Sequence, residues 1–421
     1  MQPHAKIHAL IELVTAVEAG DRPADDLTRA YFASRRYAGS KDRAEVIERL
    51  YALGRRRGEL AERLSASGGS VTPRTLVVAL LRHLGTPAEV IEQAYCGAVH
   101  APAPLSELER RALSVDPAQS VSRAARLGVP SWFLDELCAN GVEEVDALCQ
   151  ALQNEAPMDL RVNVAATTRK AFIERLRALD VAAELTPWSP WGVRLRSRRP
   201  LPPELTRAGL FEPQDEASQL VALAVDVQPG HRVLDLCAGA GGKTLAMAAV
   251  LGGQGQVVAT DVSAGRLEHL VPRLRAAGAS NVTLRAIEGI GDPWLVGQRG
   301  TFDRVLVDAP CSGTGTWRRH PDARWRLRSE DIADQVHTQF ELLSAAVSLA
   351  RPGGHVIYAT CSVLPRENEH VVAAVLASAT HLRRVRAAVP AALHRDDGSV
   401  ALRPDRHATD GFYLAVLERE S

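Results

Sequence analysis

Two cysteines stand where chemistry could be done. Cys311 lies in Asp308-Ala309-Pro310-Cys311-Ser312 and Cys361 in Tyr358-Ala359-Thr360-Cys361-Ser362, and each run follows an apolar stretch of strand character. In a parallel sheet both would sit at the carboxyl edge, where such folds bind their ligands. Enzymes that methylate exocyclic amines carry Asp/Asn-Pro-Pro-aromatic at this place and need no thiol; here the run is Pro-Cys. A thiol suits a different acceptor, the C5 carbon of a pyrimidine. A thiolate adding at C6 turns the ring into an enamine whose C5 can attack a sulfonium methyl. A free thiol titrates near ~8.5, so the site must lower that value or supply a base. Asp308 is placed to hydrogen-bond N3 of the ring as charge develops. One thiol is required and two are present, and the chemistry alone leaves open which of them attacks.

A methyl donor needs its own cradle. Val233-Leu234-Asp235-Leu236-Cys237-Ala238-Gly239-Ala240-Gly241-Gly242-Lys243-Thr244 is an apolar strand that enters a Gly-rich turn and then a helix. Glycine is needed where backbone must approach a ligand at φ values closed to other residues. A phosphate loop GxxxxGK[ST] would require glycine where Cys237 stands. A dinucleotide fingerprint GxGxxG begun at Gly239 would require one where Thr244 stands. A loop for S-adenosylmethionine remains. It calls for an acid on the next strand to take the ribose hydroxyls, and Asp261 supplies it 22 residues after Gly239. On the third strand either Glu288 or Asp292 could approach the adenine. An N-terminal cation is unfavourable on a helix, so Lys243 favours a contact in the site.

The elements that must position these groups follow from periodicity. From about 206 the pattern runs strand, loop, helix, repeatedly, which predicts a mostly parallel Rossmann-like α/β sheet covered on both faces. Candidate strands are 232–236, 256–261, 283–287, 304–308, 355–359 and 411–417, and candidate helices 243–251, 263–277, 329–350 and 366–377. Residues 150–205 read as a small α/β domain, with strands at 159–164 and 192–195 and a helix at 169–179. Residues 1–149 show only helical spacing. Ala44, Ile47, Leu50, Tyr51, Leu53 and Leu60 form one stripe there, and shorter helices are expected at about 74–84, 87–98, 105–113, 117–127 and 131–140.

Composition bounds the partners. Fifty basic and fifty acidic side chains in 421 residues give zero formal charge, which excludes a uniformly basic nucleic-acid coat. No run of about 18 apolar residues and no signal-peptide pattern occurs, so a cytoplasmic protein with no membrane contact is expected. Six cysteines without a CxxC pair indicate neither a disulfide scaffold nor a zinc ribbon, and no metal is expected. Cys96, Cys138, Cys149 and Cys237 read as small buried or half-buried residues.

From about 206 onward the chain resembles the RsmB/Sun (Fmu) branch of the Nol/Nop/Sun RNA cytosine-C5 methyltransferases. The resemblance is carried by Leu236 to Thr244, Asp308 to Ser312, Arg319-His320-Pro321-Asp322, the run Tyr358 to Glu369 and Asp410-Gly411-Phe412-Tyr413. It implies that Cys361 is the nucleophile and that Cys311 assists release of the enzyme–RNA adduct, with Asp308 as the motif aspartate. It also implies a cofactor set of Cys237, Ala238, Gly239, Ala240, Gly241, Gly242, Lys243, Asp261, Arg266 and Asp308. The family's third-strand Asp-Gly pair has no clean match, so Glu288 and Asp292 both stand for it, with Glu288 preferred because Gly289 follows. A second departure is Gly239-Ala240 where many members have Ala-Pro. The helical module resembles the NusB-like RNA-binding domain of the same branch, through Gly39-Ser40-Lys41-Asp42-Arg43 and the helix that follows.

Between Thr316 and Arg328 five arginines and two tryptophans are interleaved with one acid. Trp317, Arg318, Arg319, Arg324 and Arg326 are therefore expected to meet RNA, guanidinium groups on phosphates and rings on a splayed base. Arg55–Arg57 and Arg194–Arg199 would extend the basic surface. The expected activity is S-adenosylmethionine-dependent methylation of cytosine C5 in RNA by a monomer. The resemblance favours 16S rRNA. The rivals are a tRNA-specific enzyme of the same chemistry and an RNA-binding assembly factor that has lost activity.

Overall fold

The apolar stripe read along 40–60 becomes one 27-residue helix. In the computed structural model, which describes residues 1–20, 22–35, 37–116, 118–197 and 201–420, the chain divides into two compact units. The first comprises Met1–Asn154 and Trp317–Ser329, the second Glu155–Thr316 and Glu330–Ser421.

The first unit is helical. Its leading helices are α1 (Pro3–Glu18), α2 (Ala24–Ala33), α3 (Ser40–Ala66), α4 (Pro73–His83) and α5 (Ala88–Ala94). Val46, Leu50, Leu53, Leu60 and Leu64 of α3 are buried with Leu10, Leu13 and Val14 of α1 and with Leu76–Leu81 of α4. The start of α4 is fixed by a capping box: the Thr72 side chain accepts from the Thr75 N–H, and the Thr75 hydroxyl oxygen accepts from the Thr72 N–H. Pro73 occupies the first turn, where its missing N–H costs nothing. The strand–helix pattern expected from about 206 onward takes in 317–329, whereas the fold counts that segment with the helices. Its side chains complete their core: the Trp317 ring lies 4.5 Å from that of Phe133, and Trp325 Nε1 donates to the Gly54 carbonyl at 2.6 Å.

The second unit holds two sheets. The smaller contains β1 (Met158–Val162), β2 (Ala183–Leu185), β3 (Gly192–Leu195) and β4 (Phe211–Pro213), antiparallel in the order β2-β3-β1-β4. A helix at Arg169–Ala178 packs on it through Phe172 and Leu176.

The larger sheet is built from β5 (Arg232–Asp235), β6 (Gln256–Asp261), β7 (Val282–Ala286), β8 (Phe302–Asp308), β9 (Ala350–Thr360), β10 (Leu382–Val385), β11 (Val400–Leu402) and β12 (Phe412–Arg419). Its order is β10-β12-β9-β8-β5-β6-β7, with β11 paired to β12. Strands β5 to β9 run parallel, and β12 joins β9 antiparallel. Near-continuous apolar runs such as Val305–Val307 and Val356–Ala359 are buried because helices cover both faces. Helices Asp331–Leu349 and Glu369–Ser378 pack on one face, Glu216–Ala224 and Gly242–Leu251 on the other. Strands β10 and β11 were not foreseen; they are short edge pieces whose sequences carry no alternation of their own.

The chain leaves β5 for β6 and β7 on one side and returns to β8 and β9 on the other. This reversal opens a crevice at the carboxyl ends of β5 and β8, the switch point at which open α/β sheets bind ligands.

Candidate active site

The glycine turn lies in that crevice. Gly239 and Gly241 have φ of +56° and +79°, and a Cβ on Gly241 would fall 2.4 Å from the Leu270 side chain. Ala240 needs no such freedom, so the Gly-Ala departure leaves the turn intact. The Ala238 N–H donates to the Thr260 carbonyl and the Gly241 N–H to the Ala238 carbonyl, both at 2.8 Å. Arg161, buried at 3% exposure, donates to the carbonyl of Gly242 and, at 2.9 Å, to Gln214 Oε1; burial pushes its guanidinium down to about 10.

Asp261 ends β6 beside the turn. Its two oxygens accept the N–H groups of Gly239 and Ser263, each at 2.8 Å. A carboxylate has about four acceptor positions, so both oxygens keep capacity for a vicinal diol. The cavity here is about 640 Å³ and is lined by the turn from Cys237 to Lys243, Asp261, Arg266, Asp308 and Pro310. Its wall beyond β7 is made by Ile287, Gly289 and Ile290. Neither Glu288 nor Asp292 is among the lining residues. Asp292 instead accepts from the N–H groups of Glu288 at 3.2 Å and Trp294 at 2.9 Å, capping a short helix.

Asp235, the last residue of β5, is fully buried. One oxygen accepts the Thr244 hydroxyl at 2.6 Å, the other has no hydrogen-bond partner among the described residues, and burial pushes the carboxyl up to about 7. Lys243 reaches across the crevice to Asp308, Nζ to Oδ2 at 2.7 Å. That ion pair offsets the unfavourable placing of a cation in the first helical turn.

The two sequence-predicted cysteines meet. Asp308 is the register partner of Ala359, so the loops after β8 and β9 start level, and Cys311 Sγ lies 3.3 Å from Cys361 Sγ. The hydrogen bond to Cys361, burial and the nearby Glu367 together hold the Cys311 thiol well above its ordinary value. Gly315 and Gly411 pack back to back behind the pair: their N–H groups donate to the carbonyls of Cys361 and Gly315, both at 2.9 Å, and a Cβ on Gly315 would overlap the Gly411 carbonyl at 2.0 Å.

Sequence reasoning gave no individual role to Asp235, Arg161, Gln339 or Glu367. Glu367 follows Cys361 by six residues, yet nothing in the run Leu364 to Glu369 signals that its carboxylate turns inward.

The expected RNA contacts need correction. Trp317, Arg318 and Arg324 are buried, at 0, 5 and 0% exposure. The guanidinium of Arg324 donates to the carbonyls of Gly128, Leu152 and Trp317 at 2.7 to 3.1 Å, and burial drives it down to about 9. Trp317 and Arg324 are thus built into the core of the helical unit, and Arg318 is buried rather than presented to a phosphate. Arg319 and Arg326 retain partial exposure, with Arg326 paired to Asp322 at 3.0 Å. The other basic clusters are also engaged. Arg57 forks onto Glu18 and Arg194 onto Asp159, while Arg56 and Arg196 pair with Glu59 and Glu184; Arg198 and Arg199 lie outside the described residues. Cys96 and Cys138, expected inside, are exposed.

Comparison with known proteins adds the family. Residues 222–418 match 16S rRNA methyltransferase RsmB/F, and residues 129–202 match the ferredoxin-like domain of RsmF/B-like methyltransferases. Ribosomal RNA small subunit methyltransferase B of Vibrio vulnificus is 32% identical over 322 residues, 75% of this chain and 72% of that protein. The chain belongs to the RsmB/F methyltransferase family. The protein of the same name from Pseudomonas syringae is 36% identical over 69% of this chain and 66% of its own length, so the match spans about two thirds of these relatives. Among solved structures, a methyltransferase homologue from Pyrococcus horikoshii superposes with a TM-score of 0.62 at 27% identity over 71% of this chain and all of that one. PH0851 shares the fold across 100% of this chain and 99% of its own, with a TM-score of 0.80 at 22% identity.

The cofactor of this methyltransferase family is S-adenosylmethionine, and the residues present fit it. The cavity matches a nucleoside-sized ligand, Asp261 offers free acceptor capacity for a diol, and the turn brings bare backbone to its wall. Among the described residues no group of three or more His, Cys, Asp or Glu side chains is arranged to hold a metal, and no helix is long and apolar enough to cross a membrane.

Proposed function

We propose that the protein methylates C5 of a cytosine in RNA, with 16S rRNA as substrate, through a covalent bond from Cys361 Sγ to C6 of the ring. The observation that carries this reading is the thiol pair, 3.3 Å between sulfurs, beside a cavity whose wall includes Asp308 and Pro310. An exocyclic-amine methyltransferase has no use for either sulfur. The description of the matching family names 16S rRNA, and the relatives are named for ribosomal RNA of the small subunit.

When bound, S-adenosylmethionine supplies an electrophilic methyl on a sulfonium. Lys243 holds Asp308 at the N3 edge of the base, and as negative charge builds there the carboxyl passes N3 the proton given up by the Cys361 thiol. The Cys361 thiolate adds at C6, which raises electron density at C5. After methyl transfer the C5 proton passes to a water molecule, the 5,6 double bond re-forms, and the C6–S bond breaks with the electron pair returning to Cys361. Cys311, the nearest thiol, assists that release. The target base must be unstacked so that C6 meets the thiolate from one face.

Bisulfite sequencing of RNA from a strain lacking the protein tests the reading. One or a few 16S cytosines should lose protection. Loss confined to tRNA would move the substrate there, and an unchanged pattern in both RNAs would sink the proposal.

A further inference from the structure

Glu367 is fully buried, and its carboxylate collects four donors. Oε1 accepts the Ser312 N–H at 2.8 Å and Gln339 Nε2 at 3.0 Å; Oε2 accepts the hydroxyls of both Ser312 and Ser362. Its own carbonyl accepts the Tyr358 hydroxyl at 2.6 Å. Buried charge persists only when bonded in this way. The pattern is specific to the chemistry. Ser312 follows Cys311 and Ser362 follows Cys361, so one carboxylate grips the residue after each thiol. Thr314 Oγ1, 3.3 Å from Ser312 Oγ and 3.0 Å from Ser362 Oγ, closes the triangle.

We propose that Glu367 is a positioning residue for methyl transfer, fixing both Cys-Ser corners in one register so that the two sulfurs address the same base. This rests on the covalent reading given under Proposed function. Apolar packing could have fixed the corners without a charge, and the charge has a consequence of its own. Besides Cys361, Glu367 and Tyr358 are ionisable groups coupled electrostatically to Cys311. The negative carboxylate favours the S–H form of Cys311, which then donates a hydrogen bond to Cys361; no bond is made or broken in that contact. The two thiols are thereby made unequal, one held as the acid partner and the other left to attack.

The test compares wild type with Glu367→Gln, Glu367→Asp and Ser312→Ala in the full chain, using 16S rRNA transcript and S-adenosylmethionine. For Glu367→Gln, kcat should fall on the order of tenfold to hundredfold, as misplacement of reacting groups does, with KM for RNA within about twofold because nothing that binds RNA has changed. The alkaline limb of the kcat–pH profile should move to lower pH, since losing the negative charge lets Cys311 ionise earlier. Glu367→Asp should recover part of kcat and restore the limb. A merely structural glutamate would lower the melting temperature and leave the profile where it was, and that result, or an unchanged kcat, overturns the proposal. If Glu367→Gln does not fold, Ser312→Ala is read in its place: unchanged kcat there overturns the proposal equally. Wild type that transfers no methyl to RNA would instead bring down the covalent reading, so the two failures are distinct.

Discussion

Cys311 Sγ and Cys361 Sγ stand 3.3 Å apart although 50 residues separate them, because their loops leave adjacent parallel strands at the same level. The pair makes the division of labour measurable. Cys361→Ala should abolish turnover altogether. Cys311→Ala should allow attack and stall release, leaving an RNA–protein adduct that survives a denaturing gel. An adduct from Cys361→Ala and none from Cys311→Ala would reverse the roles.

Asp308, three residues before Cys311, forms an ion pair with Lys243 at 2.7 Å. Asp308→Asn should lower kcat by about 10² or more, in the range for loss of a positioned acid–base group, while S-adenosylhomocysteine affinity measured by calorimetry changes little. A large loss of cofactor affinity with kcat intact would assign Asp308 to the cofactor alone.

Asp261 has a different signature. Asp261→Ala should weaken S-adenosylhomocysteine binding by roughly 1.5–3 kcal/mol, about tenfold to 150-fold, the scale for hydrogen bonds to a charged group. The same variant should lose some thermal stability, since the N–H groups of Gly239 and Ser263 lose their acceptor. Unaltered affinity would remove the ribose role.

Burial raises Asp235 from 3.8 to about 7, which fixes the sign of a pH effect. Between these values the folded state binds more protons than the unfolded state, so stability falls as pH rises from about 4 to 7. The decline, on the order of a few kcal/mol at most, should be missing from Asp235→Asn. The melting temperature of the variant relative to wild type should therefore be higher at pH 8 than at pH 5. A pH-independent difference would mean that folding does not raise Asp235 above its value in the unfolded chain.

Arg324→Met leaves three carbonyls without their donor. The helical unit should lose about 3 kcal/mol or more in denaturant unfolding. The salt dependence of RNA affinity should stay as in wild type, whereas loss of a phosphate contact would reduce the slope by about 1.

Local pattern carried much of the reaction centre. Cys311, Cys361, Asp308, Asp261 and the glycine turn all sit at strand ends, and strand ends are legible because apolar runs stop there. The cavity wall beyond β7 is less legible: Ile287, Gly289 and Ile290 contribute as a loop whose path no periodicity announces. Glu367 and Asp235 were missed for a shared reason. Burial of a single carboxylate depends on donors brought from elsewhere in the chain, and composition treats it as one more surface acid. The same blindness produced the opposite error in 317–329. Five arginines in sequence read as surface charge, yet Arg324 is buried and donates to carbonyls as distant in the chain as Gly128.

The assignment of Trp317–Ser329 to the helical unit bears on how the protein is made. Residues 1–154 leave the ribosome first, but the tryptophan and arginine that complete their core follow about 160 residues later. At about 5–20 residues per second, the helices wait on the order of ten to thirty seconds with an unfilled groove along Phe133, Gly128 and Leu152. The order of synthesis is therefore not the order of completion: the helical unit finishes folding only after most of the second unit has been translated.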